Sequence, residues 1–164
     1  MKKLLITATI AASLTGCASY NPIPEGYTGP TATIADSGQA ESASKAQLFA
    51  LTSIDGHLIM NSFLDSSNAS RGMGDRLTVV LSKRMVPAKP MKATLKASHE
   101  TGAPIHAIAD KIAGTFFSVE GTVDFTPKAN GHYVVRGELK KEGSSVWIED
   151  ADTGLPITGK ITGK

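Results

Sequence analysis

Arg76-Leu77-Thr78-Val79-Val80-Leu81-Ser82-Lys83-Arg84, a turn over 87–90, and then Met91-Lys92-Ala93-Thr94-Leu95-Lys96-Ala97 make up the stretch on which the fold class depends. Leu77, Val79 and Leu81 fall on one side of an extended chain, with Arg76, Thr78, Val80 and Ser82 on the other. Met91, Ala93, Leu95 and Ala97 continue the alternation against Lys92, Thr94 and Lys96. A period of two marks a strand, because successive side chains of a strand point to opposite faces. Two such runs about a proline-bounded turn predict an antiparallel hairpin.

The same pattern extends outward in both directions. Upstream, 31–36 predicts the first strand and 37–45 a loop or weak helical turn. The runs 47–54 and 57–64 flank Asp55-Gly56 and predict a second hairpin. Residues 65–74, rich in Ser, Asn and Gly, predict an exposed loop. Downstream, Phe117, Val119, Gly121, Val123 and Phe125 alternate, and 127–131 turns. Tyr133, Val135, Gly137 and Leu139 alternate against Val134, Arg136 and Glu138. Glu142-Gly143 turns, 145–149 is a short apolar run, Asp152-Thr153-Gly154 turns again, and 155–161 predicts a closing strand. One segment breaks the β pattern. Ile105, Ile108 and Ile112 are spaced by three and four, Pro104 suits a first helical turn, and Gly114 suits a stop. They predict one short helix near 103–113, covering an open end or a sheet edge. Turn signals at roughly 8- to 12-residue intervals predict a mainly all-β fold, an antiparallel β-sandwich of about seven to nine strands.

The N-terminus carries a different message. Lys2 and Lys3 precede an apolar run over 4–14, and Leu14-Thr15-Gly16-Cys17 follows. A basic start, an apolar stretch and small residues at a cut describe a secretory signal. The run is 11 residues long, against about 20 for a spanning helix. Leu14-Thr15-Gly16-Cys17 resembles the bacterial lipobox, the cleavage motif of signal peptidase II, in all four positions. The resemblance implies that residues 1–16 are removed and that Cys17 becomes the mature N-terminus, carrying a diacylglycerol thioether and usually an N-acyl chain. Two or three chains hold a protein firmly, where one holds it marginally. Ala18, rather than Asp, follows the cysteine, which by the same resemblance favours the outer membrane, with the domain facing the periplasm. Residues 17–30, with Pro22, Pro24, Gly26, Gly29 and Pro30, read as a flexible tether, and 31–164 as the β-sandwich domain.

Composition narrows the function classes. Removing residues 1–16 takes Lys2 and Lys3 from the 17 basic residues and leaves 15 against 15 acidic ones. A balanced chain with no basic stripe gives nucleic acid nothing to bind. Cys17 is the only cysteine, so the domain must stand on its apolar core without disulfides. Aromatic residues are 5 % of the chain, few for a sugar-binding cleft.

Leu51-Thr52-Ser53-Ile54-Asp55-Gly56, followed by Arg84-Met85-Val86-Pro87-Ala88-Lys89, is similar to small bacterial lipoproteins of uncharacterised function. In those, an Ile-Asp-Gly turn and a Val-Pro-Ala-Gly turn are neighbouring corners of an immunoglobulin-like or transthyretin-like sandwich. Tyr133-Val134-Val135-Arg136-Gly137 and Val146-Trp147-Ile148-Glu149-Asp150 are in keeping with it. Lys89 stands where glycine is usual. The resemblance implies a fold and carries over no catalytic residue.

No chemical signature stands beside it. His57, His99, His106 and His132 are not spaced as a ligand set, and His106 with Asp110 reads as an ordinary helix-surface pair. Glu149, Asp150 and Asp152 lack the ligand spacing of a calcium loop and read as turn carboxylates. Ser42-Ala43-Ser44-Lys45 matches the Ser-x-x-Lys of penicillin-binding enzymes without its companion motifs. Arg71-Gly72-Met73-Gly74 lacks the strand-to-helix setting of a phosphate cradle. Trp147, with Tyr133 and Arg136, is the candidate binding group, since Trp, Tyr and Arg dominate interaction hot spots. The expectation is therefore a non-enzymatic envelope protein without metal or cofactor, held to the membrane through Cys17. Its role is structural or interactive toward an envelope protein or the cell wall. The alternatives are a small-ligand or glycan-binding module, and an inhibitor of an envelope hydrolase that presents the 65–74 loop.

Overall fold

The Asp55-Gly56 turn forms as its residues dictate. Both backbones take positive φ, 50° and 81°, as a primed two-residue hairpin turn requires. It joins strand β3 (Lys45–Ile54) to the two-residue strand β4 (His57–Leu58) in this computed structural model, which describes residues 20–163. The signal segment and Cys17 lie outside the described residues.

The described residues are mainly β, with two sheets and two helices among them. In chain order β1 (Thr31–Ala35) and β2 (Ser37–Ala40) precede β3 and β4, and helix α1 (Ser62–Ser70) follows. Then come β5 (Lys83–Pro87), β6 (Met91–Thr101), helix α2 (Pro104–Ile112), β7 (Ser118–Phe125), β8 (His132–Glu138), β9 (Ser144–Asp150) and β10 (Ile161–Gly163). One sheet has the order β10-β9-β8-β1-β5. The other has β2-β3-β6-β7, with β4 on β3. One apolar cluster draws on both, with Ile34, Val86, Val135 and Ile148 from the first and Leu51, Leu95 and Val119 from the second. Burying such side chains is the main force available to a domain whose described part holds no cysteine.

Several elements differ from the sequence reading, each for a physical reason. The runs at 76–84 and 91–97 are not a hairpin. β5 pairs with β1, from Thr31↔Pro87 to Ala35↔Lys83, while β6 pairs with β3 and β7. Residues 87–90 carry the chain from one sheet to the other, and Pro87 and Pro90 have no N–H to extend a ladder. The sheets are not wholly antiparallel, because β8 lies parallel to β1 with Ile34 opposite Tyr133. The chain reaches β8 from β1 only after passing through the second sheet, and such a crossover permits parallel pairing. Among the described residues strands number ten rather than seven to nine, since 37–45 includes β2 and not a helical turn. The closing strand shrinks to β10, with a single bridge between Glu149 and Pro156 before it.

A second helix replaces the expected strand end and loop over 59–70. Asn61 stops the hairpin by capping α1, its side-chain oxygen accepting from the Phe63 and Leu64 N–H groups. The buried face of α1 is Ser62, Ser66 and Ser70. Against it lies residues 77–82, extended but paired with no strand. The N–H groups of Ser82, Val80 and Thr78 donate to the hydroxyls of Ser62, Ser66 and Ser70 at 2.9, 2.9 and 2.8 Å. Four helical residues rise about 6.0 Å and two extended residues about 6.6 Å, so the two spacings match. The alternation at 76–82 is therefore real as extended backbone, but a helix takes its hydrogen bonds.

Candidate functional site

The polar cleft of this molecule lies where β6 ends. The last residues of β6 pass beneath the end of α1, and the Gly72–Gly74 turn and the first turn of α2 close around them. The hollow measures about 390 Å³ and is lined by Arg71, Gly74, His99, Glu100, Pro104 and Phe116, among others. A second hollow of about 500 Å³ adjoins it, sharing His99, Glu100 and Phe116 and adding Lys96 and Lys111. Gly102 makes the crossing possible. A Cβ there would collide with the Asp75 carbonyl oxygen and the Arg76 backbone.

His99 is the buried titratable group of the cleft. Its Nδ1 accepts from the Phe117 N–H at 3.0 Å, so the proton sits on Nε2, which faces the Glu41 Oε1 at 3.4 Å. Its ring lies 5.7 Å from those of both Phe116 and Phe117. Burial pushes His99 below its ordinary value and Lys45 acts the same way, against the Glu41 carboxylate, which raises it. Next to it, burial lifts the Glu100 carboxyl above its ordinary value, opposed by Lys96. The pair is an imidazole that resists protonation beside a carboxyl that resists ionisation, in a partly apolar recess.

A charge network ties this end together. The Lys45 ammonium lies 2.8 Å from Asp110 of α2 and 3.8 Å from Glu41, and it donates to the Thr115 carbonyl. The hydrogen bond from Lys45 lowers the Asp110 carboxyl. Asp110 therefore pairs with Lys45 across the fold rather than with His106 along the helix. Lys45 of the Ser-x-x-Lys match lies between the carboxylates of Asp110 and Glu41.

The candidate binding set of Trp147, Tyr133 and Arg136 does not converge. Tyr133 is buried in the core, edge-on to Phe125 at 5.0 Å, and its hydroxyl accepts from the Lys128 N–H. Arg136 and Trp147 are cross-strand partners on the other face of β8 and β9. Trp147 is buried there too, roofed by the Lys160 ammonium 4.1 Å above its ring. Asp150 accepts from the Asp152 N–H, the Thr153 N–H and the Thr153 hydroxyl, a turn that holds its carboxyl below the usual range. Arg71–Gly74 is a tight turn with φ 82° at Gly72 and 70° at Gly74, and it lines the cleft. Since 62–70 is helical, little of the expected 65–74 loop protrudes. Among the described residues no three His, Cys, Asp or Glu side chains converge as a metal site.

Two features escaped the sequence. The first is a buried ion pair, Asp36–Arg84, bidentate at 2.7 and 2.6 Å. No sequence pattern marked either residue. The second is the placement of α2. Its ends are as expected, with Pro104 in the first turn and Gly114 at φ 68°, yet none of its residues is buried. Ile105, Ile108 and Ile112 are 65 %, 54 % and 84 % exposed. The apolar stripe that predicted the helix faces outward, while Asp110 fastens the helix to Lys45.

No family model, curated protein or solved structure matches this chain.

Proposed function

We propose that this chain is an outer-membrane lipoprotein of the periplasmic face, anchored through Cys17, whose two sheets form a β-sandwich that presents α2 to another envelope protein. The role is that of a non-catalytic accessory. One observation carries the reading: three isoleucines line one side of an ordered helix and none of them is buried. A globular domain gains from turning such a stripe inward, and an outward stripe marks a surface built for contact. The fastening of α2 by an ion pair leaves its apolar side free for helix-in-groove recognition, with anchors at i, i+3 and i+7.

The test is photo-crosslinking in cells. A crosslinking residue replaces Ile108 in the anchored protein, with the same residue at exposed Glu138 as the control and a Cys17→Ser version lacking the anchor. Support is one envelope protein captured from position 108, absent from 138 and lost without the anchor. Folded, anchored protein that captures nothing at 108 beyond the 138 control overturns the reading.

The adjoining hollows at His99 and Glu100 favour a second reading, a small-ligand module. Glycan binding through Trp147 or Tyr133 loses its basis, since both rings are covered. A ligand would instead meet Phe116, with Lys96 and Lys111 at the rim. Saturable binding of a soluble cell-wall fragment, abolished by Phe116→Ala, would favour this reading over the first.

A further inference from the structure

We infer that the end of the domain carrying Tyr20, Leu58, Met60 and Leu64 rests on the phospholipid bilayer that holds the acyl chains of Cys17. This deepens the proposed function and depends on its anchor. Cys17 and Tyr20 are three peptide links apart, so their Cα atoms lie within about 11 Å of each other. Tyr20 is seated on the domain, its ring stacked on His57 at 4.6 Å and 21°. A lipidated Cys17 therefore brings the bilayer close to the β3–β4 turn. The α2 end is out of reach. Lys45, which holds α2, and Ser53, which pairs with Leu58, are eight residues apart on β3, about 26 Å of strand.

What the short link brings to the membrane is apolar. Leu58 is 74 % exposed, Leu64 46 % and Met60 40 %. Leu58 and Leu64 share one hollow with Phe63, and Tyr20 and Met60 share the next. Tyr20 has the amphipathic ring that suits a membrane interface. The charges beside this end carry no positive excess, with Lys92 paired to Asp124 at 3.1 Å, Asp55 accepting from the Lys92 N–H, and Lys96 and Glu120 both lining the hollow of Leu58 and Leu64. The contact is thus apolar and needs no anionic lipid. Seated this way, the domain points α2 away from the bilayer.

The experiment uses the mature lipidated protein in phosphatidylcholine vesicles that contain a spin-labelled quencher lipid. With Cys17 blocked by its lipid, Leu58→Cys supplies a single thiol for an environment-sensitive dye, and Ile112→Cys supplies the control at the opposite end. The dye at 58 is expected to shift to the blue and to be quenched several-fold more than the dye at 112. Equal quenching at the two positions overturns the docking. Mass spectrometry of the N-terminal peptide separates the two failures. A Cys17 without diacylglycerol overturns the anchor and the docking together, whereas a lipidated Cys17 with an unquenched dye at 58 overturns the docking alone.

Discussion

The hydroxyl of Ser66 holds both backbone groups of Val80, accepting from its N–H at 2.9 Å and donating to its carbonyl at 3.3 Å. In an antiparallel sheet those two bonds would come from the backbone N–H and carbonyl of one residue on a neighbouring strand. Here one side chain of α1 supplies both, and Ser62 and Ser70 repeat the acceptor half one turn to either side. Serine is suited to this, since its hydroxyl both donates and accepts and is short enough to let backbone approach helix. The arrangement gives three N–H groups of an otherwise unpaired extended segment their hydrogen bonds.

Ser66→Ala should lower stability by about 1 to 2 kcal/mol, because it leaves the Val80 N–H and carbonyl without partners in a partly buried place. The denaturation midpoint should fall with the slope unchanged. Ser67→Ala, on the exposed side of the same helix, should change stability by less than about 0.5 kcal/mol. Equal effects at 66 and 67 would mean that helix propensity, not the hydroxyl contact, decides the outcome.

The Asp36 carboxylate is fully buried and accepts from five donors: the two Arg84 nitrogens, the Leu51 N–H, the Ser62 N–H and the Ser62 hydroxyl. It joins β1, β3, α1 and β5 at one point. Arg84→Met removes the countercharge and leaves three hydrogen bonds on a buried anion, which should cost about 3 kcal/mol. Asp36→Asn and Arg84→Met together should cost clearly less than the sum of the two, measured as a double-mutant cycle in denaturant. Additive costs would show that the pair is not coupled.

These polar contacts also mark where the sequence was silent. β7 and β8 were legible because alternation records a buried face, and β3 and β9, buried on both faces along most of their length, because they are largely apolar runs. The Asp55-Gly56 hairpin was legible because positive φ leaves a residue signature. α1 was not, since its buried stripe is serine, and a search for apolar periodicity passes over Ser62, Ser66 and Ser70. The sheet to which β5 belongs was not legible either, because alternation shows that a strand has two faces but not which strand lies beside it. The cleft was invisible for a related reason. Glu41, His99 and Asp110 are far apart in the chain, and none has a spacing that announces the contact.

The pH dependence of stability should bear the opposed signatures of His99 and Glu100. His99 is lowered from 6.5 by burial, so below 6.5 the unfolded chain takes up a proton that the folded chain refuses. Stability from this group is complete above 6.5 and is lost as pH falls toward the lowered folded value. Glu100 is raised from 4.5 by burial, so the folded state holds its proton longer. Its contribution is favourable at low pH and is lost as pH rises from 4.5 through the raised value. Glu100→Gln should therefore stabilise the protein at pH 7 and remove the rise on acidification. His99→Gln should flatten the fall just below 6.5. Thermal melts across this range check both, and an unchanged slope in either variant refutes the assignment to that group.

Gly102→Ala should destabilise by about 1 to 3 kcal/mol, the range for overpacking, since its Cβ would meet the backbone of Asp75 and Arg76 rather than a side chain that could swing away. The strain should be relieved by lifting the 72–76 segment off β6. Faster amide exchange confined to 71–77 is the expected readout, and uniform exchange across the domain would instead indicate global unfolding.

Ile105→Ser, Ile108→Ser and Ile112→Ser bear on whether α2 belongs to the core or to an interface. A buried isoleucine cut back in this way costs about 2 to 5 kcal/mol, whereas an exposed one costs within about 0.5 kcal/mol, and Ser and Ile have similar helix propensities. The three replacements together should leave the denaturation midpoint nearly unchanged while abolishing crosslinks from the helix. Stability and binding would then separate, because the stripe lies outside the cluster that holds the fold, and α2 stays in place through Asp110 and Lys45. If the triple variant instead unfolds several kcal/mol sooner, the isoleucines serve the core and the accessory reading loses the observation that carries it.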